Sequence, residues 1–403
     1  MKIIVIGGGV VGVTTAYYLA KKGAAVTVLE RQPSGGQETS AGNAGLISPS
    51  DAFAWASPSA LKITLKSLFY PQLGIQLRRS NEWSLLPWSL EFLNQCRPSK
   101  WRHNSDYKFR LAQQSLDLMK DLQASTGIEF DALSNGIVYA CRHAGEFKKL
   151  KEHFGFLQAR GLRLEMLGAE ALINLNPALA AHPETYVGGV YSPACMTGDS
   201  RKFCAALSKW SAQAQTCTFA WNTRVEEIET KDGKITSILT SKGAFTADAY
   251  VLCAGPYSAK LARQVGLNLP IYPIKGFSVS APITNHALVP KSGFDDVEKL
   301  VAISTLGDRL RIASSAVFAG YNLGHKPGDF KSILKLAHEI YPEAADYDKA
   351  EYWAGLRPMT PSSAPIIGPS AVENLYLNTG HGHLGWTLAC GSGHMLAEAV
   401  LGT

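Results

Sequence analysis

The chain opens on Ile3, Ile4, Val5 and Ile6, four consecutive apolar residues. An unbroken run of this kind suits a parallel strand covered on both faces, whereas a half-exposed strand would alternate. Glycines follow at once, and from Val10 to Lys22 the apolar positions take helical spacing until Gly23 stops them. Ala25 to Leu29 then reads as a second buried strand closed by Glu30. Residues 1–30 therefore predict one β-α-β unit.

Further along, Ser57 to Phe69 is predicted as an amphipathic helix, with Pro58 in its first turn and Leu61, Leu65, Leu68 and Phe69 on one side. Gly145 to Arg160 repeats the pattern through Phe147, Leu150, Phe154 and Leu157, and Gly161 ends it. Another helix follows Asp199, marked by Phe203, Leu207 and Trp210. Short strands are expected around 216–222, 225–230 and 235–240, with Asp232-Gly233 as a hairpin turn. Tyr250 to Leu252 is a buried strand delivered into Ala254 and Gly255. Asn374 to Asn378 predicts a last strand, Thr379 to Gly385 a glycine-rich loop, and the remainder a helix.

The segment between the first strand and helix, Gly7-Gly8-Gly9-Val10-Val11-Gly12, has the spacing GxGxxG. Gly7 permits the tight turn, Gly9 admits a pyrophosphate close to the backbone, and Gly12 lets the helix approach the strand. The helix N-terminus then offers unpaired N–H groups and a favourable dipole to the phosphates. Glu30, eighteen residues beyond Gly12, stands where an acid binds ribose hydroxyls and repels a 2′-phosphate. Strand, glycines, helix and acid in register point to a dinucleotide, though not to which one.

At 403 residues two interleaved domains are expected, and 46% hydrophobic against 18% charged residues argues for a folded globular chain. Lys and Arg exceed Asp and Glu by 39 to 33 with no long basic run, so nucleic acid is not an expected partner. The basic residues Arg97, Lys100, Arg102, His103, Lys108 and Arg110 do gather around Trp101. With Trp55, Trp83 and Trp88 they leave open a peripheral contact with the inner face of a membrane, against the alternative of a helical lid packed on its own domain. Seven cysteines without CxxC spacing suggest neither a disulfide framework nor a metal site. No secretory leader or spanning segment is read, since Pro87 and Glu91 interrupt the apolar stretch 85–93, and a cytoplasmic location is expected.

Longer motifs narrow the choice. Residues 38–49 (ETSAGNAGLISP), 197–199 (TGD), 272–279 (YPIKGFSV), 355–361 (GLRPMTP) and 378–387 (NTGHGHLGWT) together resemble the bacterial D-amino acid dehydrogenases, within the wider D-amino acid oxidase and glycine oxidase superfamily. The resemblance runs from end to end. It implies an α/β fold in which a Rossmann-type FAD-binding domain (1–56, 180–272 and 350–403) is roofed by a discontinuous α+β substrate or cap domain (57–179 and 273–349). It implies non-covalent FAD with the adenosine half on Gly7, Gly9, Val10, Val11, Gly12, Glu30 and Arg31, and Val225 offering backbone groups to the adenine. Ser40, Asn43, Ala44, Gly45 and Leu46, with Ala254 and Gly255, would line the pyrophosphate and ring. Gly380, His381, Gly382, Leu384, Gly385, Trp386 and Thr387 would sit by the pyrimidine end, where a helix N-terminus stabilises negative charge.

The implied activity is oxidation of a small D-amino or cyclic imino acid by hydride transfer to flavin, with electrons passed to a quinone or another carrier. Positioning supplies most of such catalysis. By resemblance Arg357 grips the substrate carboxylate through its planar fork, and His383 lies beside the substrate. Positions 311–318 depart from the family. Two glycines are usual where Ala313 and Ser314 stand, and a glutamate where Val317 stands, so a reshaped pocket and a less cationic substrate are expected. An oxygen-using glycine or sarcosine-type oxidase, and a non-catalytic flavin-binding subunit of a complex, remain as alternative readings.

Overall fold

The computed structural model describes residues 1–60, 75–78, 80 and 82–402. Residues 61–69 of the helix predicted from Ser57 lie outside them.

Strand β1 (Lys2–Ile6) lies at the middle of a six-stranded sheet, hydrogen-bonded in parallel to β2 (Ala25–Leu29) on one side and to Ala249–Leu252 on the other. Cys217–Ala220 extends the sheet beyond β2, and Leu375–Thr379 with the antiparallel Ile366–Pro369 extends it the other way. Ile3 and Val5 are fully enclosed, as a strand without polar positions requires. Each side chain so buried contributes roughly 1.5–3 kcal/mol.

Helix α1 (Val10–Lys21) crosses from β1 to β2 and packs against the last helix, Gly385–Leu401. Small residues set the close approach: a Cβ on Gly393 would sit 3.0 Å from the Thr14 backbone, and Thr14 donates its hydroxyl to the Ala389 carbonyl at 3.0 Å. On the far side of the last helix lies a 29-residue helix, Pro98–Thr126, which the sequence reading did not anticipate. Its polar residues dilute the periodicity, yet Phe109, Leu111, Ala112, Leu116, Met119 and Leu122 are all buried.

The second sheet has nine strands, among them Tyr272–Pro282, Arg309–Phe318 and Glu351–Met359 side by side. Ile137–Cys141, Gly188–Ser192 and Gly293–Asp296 continue it. This corrects the division drawn from the sequence, which grouped Gly188–Ser192 and Glu351–Met359 with the FAD-binding segments. Their strand partners are in the larger sheet, with one further bridge from Met359 to His381, so the chain crosses between layers before position 351 and again after 359. The predicted hairpin forms a separate three-stranded sheet, Val225–Lys231, Lys234–Thr240 and Gly243–Phe245. Its turn places Asp232 at φ 50° and Gly233 at φ 79°, the two left-handed positions that tight hairpins need.

Candidate active site

A cavity of about 1520 Å³ runs between the two sheets. It starts at the carboxyl end of β1, where Gly7 holds φ 109° and any Cβ would lie 2.6 Å from the Cys253 carbonyl oxygen. Gly12 is fixed by packing, since a Cβ there would stand 1.9 Å from the Gly7 oxygen. The first turn of α1 carries no acidic residue and no side-chain cap, so its amide end suits an anion. Ser40 Oγ accepts from the Val10 amide at 3.1 Å. Glu30 closes this end, its carboxylate accepting from the Gly8 amide at 2.6 Å and the Gln32 amide at 2.8 Å, while burial pushes its pKa up. Arg31 pairs with Glu38 at 2.5 Å and lies 4.1 Å from the Tyr257 ring centre.

The middle of the cavity is walled by 40–46 on one side and 380–386 on the other. Asn43 braces the first wall, accepting from the Gly45 amide at 2.9 Å and donating to Ser200 Oγ at 2.6 Å. Behind it Arg311, which burial lowers to about 10, donates to the Asn43 carbonyl at 2.9 Å and the Ala41 carbonyl at 3.2 Å. On the second wall His381 is 2% exposed, its Nε2 has no partner among the described residues, and burial lowers its pKa to about 3. A long groove of backbone amides ending at an acid, with an orphaned imidazole nitrogen on its wall, fits a flavin dinucleotide.

Arg357 reaches the same cavity from the larger sheet. Its guanidinium lies over Gly276 on the neighbouring strand, where a Cβ would come within 2.5–2.6 Å, and it donates to the Ser315 carbonyl at 2.6 Å. Ser315 has φ 77°, unusual for a residue with a side chain. Burial lowers Arg357 to about 10. His383 stacks on Trp55 with ring centres 4.8 Å apart, and its Nδ1 is buried without a partner among the described residues. Burial, with Lys108 and Arg357 nearby, holds it neutral well below the ordinary histidine pKa.

Of the residues singled out from the sequence, Gly7, Gly9, Val10, Val11, Glu30, Arg31, Ser40, Asn43, Ala44, Gly45, Leu46, Val225, Ala254, Gly255, Arg357, His383 and 380–386 line this cavity. Two do not. Gly12 sits behind the turn, and Thr387 accepts the Ser48 amide at 3.0 Å within the core. Val317 is fully buried in the core of the larger sheet's domain and does not line the cavity.

Other groups do, and sequence reasoning missed them. Asp51 and Asp295 line the same cavity as His383. Burial pushes Asp51 up to about 6 and Asp295 well above the carboxylate range, where Asp51 and Asp296 add to the effect. Lys108, taken from the sequence as part of a surface basic cluster, is fully buried, donates to the Phe53 carbonyl at 2.6 Å, and is lowered by burial to about 7 against the pull of Asp51. The available signals were faint: an acid just before 52–56 (AFAWA), and paired acids closing the short strand Gly293–Asp296 (GFDD).

Residues 2–399 match the DAO family, FAD dependent oxidoreductase. D-amino acid dehydrogenase 2 of Mesorhizobium japonicum is 44% identical over 402 residues, covering 100% of this chain and 97% of that protein. A D-amino acid dehydrogenase of Paramagnetospirillum magneticum is 42% identical, covering 100% and 95%. The fold is shared with glycine oxidase from Bacillus cereus, at a TM-score of 0.75 and 22% identity over 99% of this chain and 94% of that one. L-proline dehydrogenase from P. horikoshii follows at 0.73 and 19%, covering 98% and 92%. With its family match spanning almost every residue and full-length relatives above 40% identity, the chain belongs to the DAO family of FAD-dependent oxidoreductases, alongside the bacterial D-amino acid dehydrogenases.

Proposed function

We propose that this protein is a dehydrogenase of D-amino or cyclic imino acids, with non-covalent FAD in the groove and substrate between it and Arg357. The observation that carries the reading is the Arg357 guanidinium. It is half-buried, it lines the cavity, and among the described residues only the Ser315 carbonyl takes one of its N–H groups. A desolvated planar fork is the group best matched to a carboxylate. FAD supplies the acceptor for a hydride from the substrate α-carbon.

The chain's own residues bind, orient and exclude water. Arg357 fixes the carboxylate and so aims the α-carbon. His383, neutral and stacked on Trp55, offers Nδ1 as a hydrogen-bonding group to the substrate nitrogen. So depressed a basicity makes it an orienting group, not a strong base. The amide end of the last helix, lined by Gly385 and free of acidic residues in its first turn, favours negative charge at the flavin's pyrimidine end.

A quinone or similar carrier is the proposed electron acceptor. No helix among the described residues is long and apolar enough to cross a membrane. A peripheral contact is supported by Trp83, Leu86, Leu90 and Leu93, all exposed around helix Leu85–Gln95, with Arg97 and Lys100 adjoining.

Anaerobic addition of D- and L-amino acids, D-proline and hydroxylated D-proline to the yellow protein tests the reading. D-isomers should bleach the flavin, and a quinone analogue should restore it faster than air. Rapid recovery in air with peroxide would assign an oxidase instead, and bleaching by L-isomers alone would refute the proposal.

A further inference from the structure

Asp51 lies among three other side chains, Asp295, Lys108 and Tyr139. Asp295 and Tyr139 are register partners on adjacent parallel strands, so their side chains project from the same face of the larger sheet. The row continues through Ala302 and Ala313, paired in turn, and all four positions line the cavity. Two alanines beside one acid leave space where larger residues would fill the wall.

The acids there are not equally partnered. Asp296, next along the strand, is buried against Arg142 at 2.7 Å. Asp51 has Lys108 beside it and the Ser48 and Tyr139 hydroxyls around it. Asp295 has neither a cation nor a hydrogen-bond donor among the described residues, although it is half-buried and lies within the field of Asp51. Held neutral for want of a cation, Asp295 would ionise when one arrives, so the space beside it suits a positive charge. The open volume from which that charge can come is the cavity itself, which Asp51 and Asp295 line together with Arg357 and His383. His383 lies close enough to both Lys108 and Arg357 to feel each of them, so the carboxylate anchor and the cation beside Asp51 share one imidazole as neighbour.

We infer that Asp295, with Asp51, forms a side-chain subsite that favours amino acids ending in an ammonium or guanidinium group. The inference rests on the proposed function. It reverses the less cationic substrate expected from the loss of a glutamate at position 317. An α-amino acid held by Arg357 would extend its side chain along the cavity and place its cation between the two carboxyls, supplying the partner that Asp295 lacks.

The test compares D-lysine with D-norleucine, which has the same carbon chain and no terminal charge, in wild type and Asp295→Asn. In wild type kcat/KM should favour D-lysine at least 10-fold. In Asp295→Asn that preference should fall by about 10-fold or more, mainly through the KM for D-lysine, with the flavin spectrum intact. Asp295→Lys should move the preference toward D-glutamate, which a merely structural aspartate would not do. An equal response of both substrates to Asp295→Asn, or a wild type that prefers D-norleucine, overturns the subsite while leaving the dehydrogenase reading standing. Failure of every D-amino acid to bleach the flavin overturns both.

Discussion

At the scale of single residues, the site depends on how one guanidinium is held. Arg357 has its backbone in a strand, its side chain over a glycine, and one N–H on the carbonyl of Ser315. Lysine would keep the charge but lose the fork, and a charge-assisted contact of this kind is worth about 1.5–3 kcal/mol. Arg357→Lys should therefore lower kcat/KM by roughly 10- to 100-fold, read by steady-state kinetics with an artificial acceptor. A variant within twofold of wild type would show that the carboxylate is anchored elsewhere. The motif 355–361 made Arg357 visible in the sequence, and the structure adds why its first residue is glycine: a Cβ on Gly355 would lie 1.8 Å from the Trp353 indole. Asp51 and Lys108 stayed hidden because nothing local distinguishes a buried ion from a solvated one. Their meaning comes from a helix and a loop more than fifty positions apart.

At the scale of elements, β1, β2 and α1 were legible because their apolar runs are local and their connection is short. The larger sheet was not. Its strands pair across long separations, as where Ile137–Cys141 lies between Gly188–Ser192 and Gly293–Asp296, and no periodicity within one segment announces its partner. The same locality makes the α1 turn a sharp test. A methyl at position 12 would collide with the Gly7 carbonyl, so the helix must shift away from the strand whose end it caps. Overpacking of that kind costs about 1–3 kcal/mol. Gly12→Ala should yield a protein of lower melting temperature that is purified with little or no flavin. Full flavin occupancy would mean that the groove tolerates the shift and that its tight geometry is not what holds the cofactor.

At the scale of the whole molecule, burying neutral histidines between two sheets links stability to pH. The folded-state pKa of His383 lies well below 6.5 because of burial and two nearby cations, whereas the unfolded chain has the ordinary value. As pH falls below 6.5 the unfolded state takes up a proton that the folded state refuses, so stability is lost on acidification, by at most about 1.4 kcal/mol per pH unit. Asp51, raised to about 6, acts in the opposite sense between pH 4 and 6, but it is common to wild type and to a variant at position 383. His383→Gln should accordingly gain on wild type as pH is lowered from 7 to 5, seen as a melting-temperature difference that grows with acidity. Parallel curves for the two proteins would place the acid sensitivity in other groups.

The dinucleotide groove belongs to the six-stranded sheet, and Arg357, Ala302, Ala313 and Asp295 belong to the nine-stranded one. On the proposed function, the carboxylate anchor and the far wall of the side-chain subsite thus stand on a different sheet from the groove that would hold the flavin. Substitutions along that wall could therefore retune which nutrient is taken while the groove keeps its shape.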